Sequence, residues 1–187
     1  KIEAVLSGTL SFIFNTFKGN LKFSEVVLDA KAKGFTEPDP RDDLSGLDVA
    51  RKALILSRDC GAKMELSDIA VENLVPESLR EVDVKTFLSK LPDVDASYEK
   101  LKKDAESKGN VLRYMAVIEN GKVSIELKQV DSQHPFYNLS GSDNMIVFTT
   151  ERYKTNPLVI KGPGAGAEVT AAGVFAEIIT ISNYMAS

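Results

Sequence analysis

The 187 residues hold one cysteine, Cys60, and one histidine, His134. A single thiol excludes an intrachain disulfide framework and a cysteine-rich zinc site. A single imidazole leaves no second histidine for a histidine-rich metal site or a two-histidine relay. No apolar run approaches the ~20 residues that cross a bilayer, and no basic head with an apolar core marks a secretory leader. The expected location is therefore the cytoplasm, with no membrane partner. The 23 Lys and Arg are scattered among 27 Asp and Glu, for a net charge of −4, so no nucleic-acid footprint is visible. Repeats and low-complexity stretches are absent too. What is there is ordinary folded composition, 43% hydrophobic and 27% charged. The length suits one domain, or one and a fraction. The chain opens on Lys1, and residues 1–6 already read as a strand in progress, so a piece of something longer is expected.

Residues 2–6 read as a strand, Ser7-Gly8-Thr9 as a turn, and Leu10–Phe17 as an apolar helix. Ser24 is a plausible N-cap for a helix through Lys33, with Gly34 as its stop. Residues 35–45 carry two prolines and four acids and read as a stiffened loop, because each Pro fixes its own φ and biases the residue before it away from helix. A helix follows over about 46–59, stopped by Gly61. Residues 62–110 are more polar, with short helices near 85–90 and 94–108. Val111–Glu119 and Lys122–Val130 read as strands joined by Asn120-Gly121, a strong hairpin signal. Residues 145–150 and 158–161 read as two more strands, and about 165–183 as a last helix. The sum is a mixed α/β fold, α+β in character, with a partly antiparallel sheet and helices on one face.

The helix after residue 46 is the informative one. Leu47, Val49, Ala50, Ala53, Leu54 and Leu56 cover more than half its circumference. Asp48 and Lys52 share the remaining sector, four residues apart. As a surface ion pair they would contribute a few tenths of a kcal/mol. On a helix buried on most sides, the same strip would line a cavity, where a carboxylate beside an ammonium can bind a polar substrate and move a proton. The loop before it supplies Glu37, Asp39, Asp42 and Asp43. Capping and dipole compensation account for one or two of these. The surplus can hold a ligand's ammonium group or a metal, the metal being less favoured because the Asp-x-Asp-x-Asp-Gly pattern is missing. Gly162-Pro163-Gly164-Ala165-Gly166 follows an apolar strand and opens a helix. Too few residues remain for a complete dinucleotide-binding unit. The glycines therefore allow either tight strand–helix packing or close approach to a cofactor held mostly by another domain. His134 reads as a turn residue, Cys60 as a small buried residue, and Glu99–Lys108 as a solvated helix face.

The run from Gly34 through Glu37, Asp43 and Asp48 to Lys52 resembles the signature of homoserine dehydrogenases. Ser7-Gly8-Thr9-Leu10-Ser11, Phe14-Asn15, His134-Pro135-Phe136, Gly141-Ser142-Asp143-Asn144, and Gly162–Gly166 with Thr170-Ala171 occur in the same order in that family. The resemblance spans essentially the whole chain and is nearest to the dehydrogenase part of bifunctional aspartokinase–homoserine dehydrogenases. It implies reduction of aspartate semialdehyde to homoserine with NADP or NAD as cofactor, on the route to threonine, methionine and isoleucine. It implies Lys52 as proton donor to the aldehyde oxygen, and Glu37 and Asp48 as contacts to the substrate's amino group and hydroxyl. Asp43 and Thr9 match positions close to the substrate, and Gly34 and Gly166 match cofactor contacts.

The family also has an amino-terminal Rossmann domain with a glycine-rich phosphate loop, a further active-site lysine and a monovalent-cation site, none of which lies in these residues. The resemblance thus divides the chain into 1–161, for substrate binding, catalysis and dimerisation, and 162–187, a glycine turn and helix that belong with the cofactor domain. It implies a homodimer, leaves fusion to an aspartokinase open, and implies that this piece alone is folded but nearly inactive. The competing reading is a non-enzymatic α/β dimerisation or regulatory module, its acids serving as caps and salt bridges.

Overall fold

The computed structural model describes residues 1–185. Its sheet has six strands: β1 (Ile2–Val5), β2 (Ala70–Val71), β3 (Val111–Glu119), β4 (Lys122–Val130), β5 (Asn144–Phe148) and β6 (Leu158–Gly162). They stand in the order β2-β4-β3-β1-β5-β6. Every neighbouring pair is antiparallel except β2 with β4, which is parallel. The β3–β4 hairpin turns on Asn120 and Gly121, both at positive φ (52° and 73°), as a two-residue turn between twisted strands demands. Its register runs unbroken from Glu119↔Lys122 to Val111↔Val130. The sheet is thus mostly antiparallel, as expected; the two-residue β2 was not, being too short to show a period.

The helices are α1 (Gly8–Thr16), α2 (Phe23–Ala32), α3 (Pro40–Leu44), α4 (Leu47–Asp59), α5 (Glu77–Arg80), α6 (Val84–Lys90), α7 (Asp95–Ser107) and α8 (Ala167–Met185). One sheet face, bearing Ala4, Leu112, Tyr114, Ala116, Val123 and Ile125, meets apolar residues of α1, α2, α4, α6 and α7. Four aromatic rings tie three of these helices together. Phe23 stacks on Tyr98 at 3.7 Å, and Phe17 meets Phe23 edge-on at 5.7 Å; Phe14 lies 6.1 Å from Phe23. On the other face a small cluster of Val5, Met115, Val130, Met145 and Val147 is covered by Phe136 and Leu139 of the segment after β4.

Several boundaries differ from the sequence reading, each for a local reason. The stretch 7–9 is not a turn: Ser7 caps α1, its hydroxyl accepting from the Leu10 amide at 3.1 Å, so the helix begins at Gly8. Ser24 does not cap α2. It lies inside the first turn, where its amide and hydroxyl both donate to Asp95, at 2.8 and 2.7 Å. The stiffened loop contains a short helix, α3, started by Pro40 at its first position and capped by Asp39. Cys60 is exposed rather than buried. Within the solvated face of α7, Lys102 is buried at 2% exposure. Its ammonium donates to the carbonyls of Gly19 and Leu21, pairs with Glu99 at 2.7 Å, and stands 4.5 Å above the Phe17 ring. His134 is a turn residue as expected. Its Nδ1 accepts from the Phe136 amide, while its other nitrogen lies 3.5 Å from Glu3. That neighbour, with Lys1, holds the Glu3 carboxyl at about 2 against the cost of burial.

α8 has no buried residue, and Val174, Phe175, Ile178, Ile179, Ile181, Tyr184 and Met185 stand exposed along it. Among the described residues no helix is long and apolar enough to cross a membrane. The expected division at residue 161 falls at the end of β6, just before this helix; residues 186 and 187 of that span lie outside the described part.

Arg113 of β3 is the largest fully buried side chain. Its Nε donates to Phe136 O (2.9 Å), Nη1 to Leu112 O (2.8 Å) and Phe14 O (3.3 Å), and Nη2 to Tyr137 O (2.9 Å) and Leu139 O (3.3 Å). Burial pushes its pKa down to about 10, so the guanidinium stays charged at neutral pH. Arg113→Met is expected to lower the unfolding free energy of this chain by ~3 kcal/mol or more, since buried carbonyls would lose their donors. Urea denaturation measures it; a loss under about 1 kcal/mol would mean that water substitutes for the guanidinium.

Candidate active site

A cleft of about 890 Å3 opens where the N-terminus of α1, the 34–37 segment, α3, α4, the 142–144 turn and the glycine turn before α8 converge. Thr9, Gly34, Glu37, Asp43, Asp48, Lys52 and Gly166 all line it. Every site residue read from the sequence is thus brought to one cavity, from segments as far apart as residues 9 and 166.

Local geometry explains how each arrives. α2 ends in the left-handed Gly34 (φ 74°), where the Phe35 amide bonds Ala30 O and the Gly34 amide bonds Lys31 O, both at 3.0 Å. This stop turns the chain toward the cleft. Arg41 then pins the acidic segment from behind. Its guanidinium grips Asp39 (Nη2 to Oδ2, 2.6 Å), donates to the carbonyls of Leu79, Arg80 and Val82, and stands 5.3 Å above the Phe87 ring. Gly46 separates α3 from α4 at φ 74°, and a Cβ there would lie 1.9 Å from the Tyr114 hydroxyl. Glycine therefore lets α4 sit tight on β3.

α4 differs from the expected helix buried on most sides: Leu47 and Ile55 are 39% and 59% exposed, and only Val49, Ala50, Ala53, Leu54 and Ser57 are buried. The polar strip lines the cleft nonetheless. The Lys52 ammonium meets Asp48 Oδ2 at 2.7 Å and donates to Leu6 O, just beyond β1, at 3.0 Å. The two side chains are 42% and 57% exposed, so the pair adds little to stability. An ammonium has three N–H donors; two are engaged here, and one is left for a ligand oxygen.

The acids of the loop separate into two kinds. Asp39 is structural: Arg41 holds its carboxyl below the usual value, and its side chain caps α3. Asp43 faces the cleft. Its Oδ2 accepts from the Glu37 amide at 2.9 Å. The Thr9 hydroxyl stands between Asp43 and Phe35 O, with one proton to give, and donates to Phe35 O at 2.5 Å. Burial pushes the Asp43 carboxyl above its ordinary value, the bond from the Glu37 amide opposes the shift, and the nearby charges of Glu37 and Asp42 add to it. The exposed Glu37 carboxylate has no hydrogen-bond or ion-pair partner among the described residues. Gly34 and Gly166 present open backbone, since a Cβ on either would meet no atom within 4 Å. Among the described residues no cluster of three or more His, Cys, Asp and Glu could hold a metal ion. Ser142, Asn144 and Arg51 also line the cleft. Sequence reasoning did not single them out as site residues, because a lone serine, asparagine or arginine carries no spacing signal.

The chain is 55% identical to the bifunctional aspartokinase/homoserine dehydrogenase of Daucus carota, over 99% of its own length and 20% of the relative's. It is 48% identical to the homoserine dehydrogenase of Saccharomyces cerevisiae, over 97% of its own length and 53% of the relative's. It thus spans about a fifth of the bifunctional relative and about half of the yeast one. A crystal structure of a Candida auris protein of unknown function superposes with a TM-score of 0.91 at 47% identity, over 97% of this chain and 53% of that one. The homoserine dehydrogenase of S. aureus, at 24% identity and a TM-score of 0.75 over 100% of this chain and 43% of its own, shares the fold. Residues 1–179 match the family model described as homoserine dehydrogenase, and with that match over nearly all of its length the chain belongs to the homoserine dehydrogenase family.

Proposed function

We propose that this chain forms the substrate half of an enzyme that interconverts L-aspartate 4-semialdehyde and L-homoserine with NADPH or NADH. The observation that carries the reading is Lys52: an ammonium fixed by Asp48 and Leu6 O, with one N–H free, on the wall of a cleft that also holds the unpartnered Glu37 carboxylate. A nicotinamide dinucleotide, when bound, supplies or accepts the hydride. The open backbone at Gly34 and Gly166, together with the unpaired amides that begin α8, fits one end of such a molecule.

The remaining chemistry falls to the chain's own residues. As the aldehyde carbon gains a hydride, negative charge grows on its oxygen. The free N–H of Lys52 meets that charge and delivers the proton, and in the reverse direction the amine takes it back. Asp48 fixes the ammonium and accepts from the substrate hydroxyl. Glu37 binds the substrate's ammonium group, and Asp43, oriented by the Glu37 amide and Thr9, supports it. Aspartokinase fusion suits the carrot relative and not the yeast one, and nothing in these residues favours either. We place the enzyme in the cytoplasm, while noting that the carrot relative is named chloroplastic.

The proposal extends to a homodimer formed through the sheet. β6 is an edge strand with Leu158, Val159 and Ile160 exposed at 42%, 42% and 54%, an arrangement that invites pairing. Light scattering at high micromolar concentration is expected to give twice the chain mass; a clean monomer mass would sink the dimer.

Lys52→Ala in the full-length enzyme is expected to cut kcat by ~10²–10⁴-fold, with a far smaller change in KM for the substrate. Steady-state kinetics decides: a kcat within about threefold of wild type would remove Lys52 from the proton transfer, because losing a general acid should exceed ~1 kcal/mol.

Glu37→Gln keeps size and removes charge. An ammonium–carboxylate hydrogen bond in such a cleft is worth ~1.5–3 kcal/mol, so kcat/KM should fall roughly tenfold or more while the melting temperature barely moves. A variant that melts many degrees lower, with normal kinetics for the folded fraction, would make Glu37 a structural residue.

A further inference from the structure

One residue of the cleft wall has no part in the chemistry above. Asn144 opens β5 and pairs across the sheet with Gly162 of β6. After β6 the chain bends back through Pro163, Gly164, Ala165 and Gly166 and starts α8. The bend passes directly over the Asn144 side chain. A Cβ built on Gly164 would lie 1.9 Å from Asn144 Nδ2 and 2.6 Å from its Cγ. With Asn144 where it stands, any side chain at position 164 would have to displace its amide.

Stability does not explain an asparagine here. Its amide oxygen is buried and has no hydrogen-bond partner. A buried amide left unsatisfied weakens a fold. The segment that carries Asn144 is nevertheless held firmly. Ser11 of α1 donates to Asp143 O at 2.9 Å, and Asn15, one turn further along, donates to Gly141 O at 2.9 Å. The same helix presents Thr9 to the cleft. A rigid chain of contacts therefore runs from α1 through residues 141–144 to the glycine turn.

We infer that Asn144 is a positioning residue that seats the Gly162–Gly166 turn, and with it the first turn of α8, at the depth in the cleft where their backbone takes the nicotinamide end of a dinucleotide. The side chain works by shape: it sets how far Gly164 descends, and the open backbone of Gly166 follows. The inference rests on the dehydrogenase reading and adds a division of labour. Glu37, Asp48 and Lys52 serve the substrate; Asn144 with Gly164 serves the cofactor.

The test is a double-mutant cycle in the full-length enzyme, with Gly164→Ala, Asn144→Ala and the pair. The dissociation constant of NADPH or NADH is read from the fluorescence of the reduced ring, alongside KM for homoserine and the melting temperature. Gly164→Ala is expected to weaken dinucleotide binding about tenfold or more, the loss of roughly one backbone hydrogen bond at ~1.4 kcal/mol, and to leave KM for homoserine within about threefold. Asn144→Ala opens the space that the added methyl needs. The double variant should therefore bind no worse than Asn144→Ala alone, a strongly non-additive result. Gly164→Ala binding like wild type, or two losses that simply multiply, would overturn the inference. A wild-type enzyme that binds the dinucleotide but does not oxidise homoserine would instead defeat the dehydrogenase reading, and the binding cycle would still judge the role of Asn144.

Discussion

A buried positive charge that pairs with no carboxylate among the described residues sets the terms for much of this structure. Arg113 is neutralised only by the dipoles of five backbone carbonyls, which belong to three separate segments: its own strand, the end of α1, and the short turn at residues 136–139. Each carbonyl must stay close to its present place, because a guanidinium that loses its acceptors inside a protein is expensive to keep charged. The turn so held leads straight into residues 141–144, and these, bonded to Ser11 and Asn15, form one wall of the cleft. The precision of that wall thus begins at a side chain far from any chemistry.

Arg41 plays the corresponding part on the opposite wall. It grips Asp39 and three carbonyls, so the acidic segment stands against α5 and α6 instead of flexing. One carboxylate of the segment is thereby spent on structure, while Glu37 and Asp43 are left to face the cavity. Like charges crowded at one mouth repel, and a cationic ligand group relieves that repulsion. The loop is therefore stiff where it is anchored and unsatisfied where it is open.

Much of this was legible in the residues. Asn120-Gly121 fixed the hairpin and its register, because few residue pairs tolerate two positive φ angles in a row. Asp48 and Lys52 lay on the polar strip of α4, and four residues of spacing placed them in contact. The acids of 37–43 were read as more than capping needs; in the structure Asp39 caps α3, and Glu37, Asp42 and Asp43 line the cleft. Arg113 was not legible, because a charge satisfied by carbonyls has no partner residue to pair it with in sequence; Lys102 was not either, because its i,i+3 spacing to Glu99 is that of any ion pair on a solvated helix face. α3 was hidden because five residues that begin on the second of two prolines show no period. The exposure of Leu47 and Ile55 was missed for a different reason, since an apolar residue on a helix does not declare which neighbour it faces.

The place of β1 has a consequence for how the chain assembles. It comes first in sequence among the six strands, yet it stands fourth in the sheet, with Ile2 opposite both Ile118 and Phe148. Among the described residues, its partners in the sheet all lie beyond residue 111. The β3–β4 hairpin can close locally, but the sheet cannot join its two halves until ends more than a hundred residues apart have met. Such long loop closures slow folding. During synthesis β1 must therefore wait for more than a hundred further residues before the strands that flank it emerge.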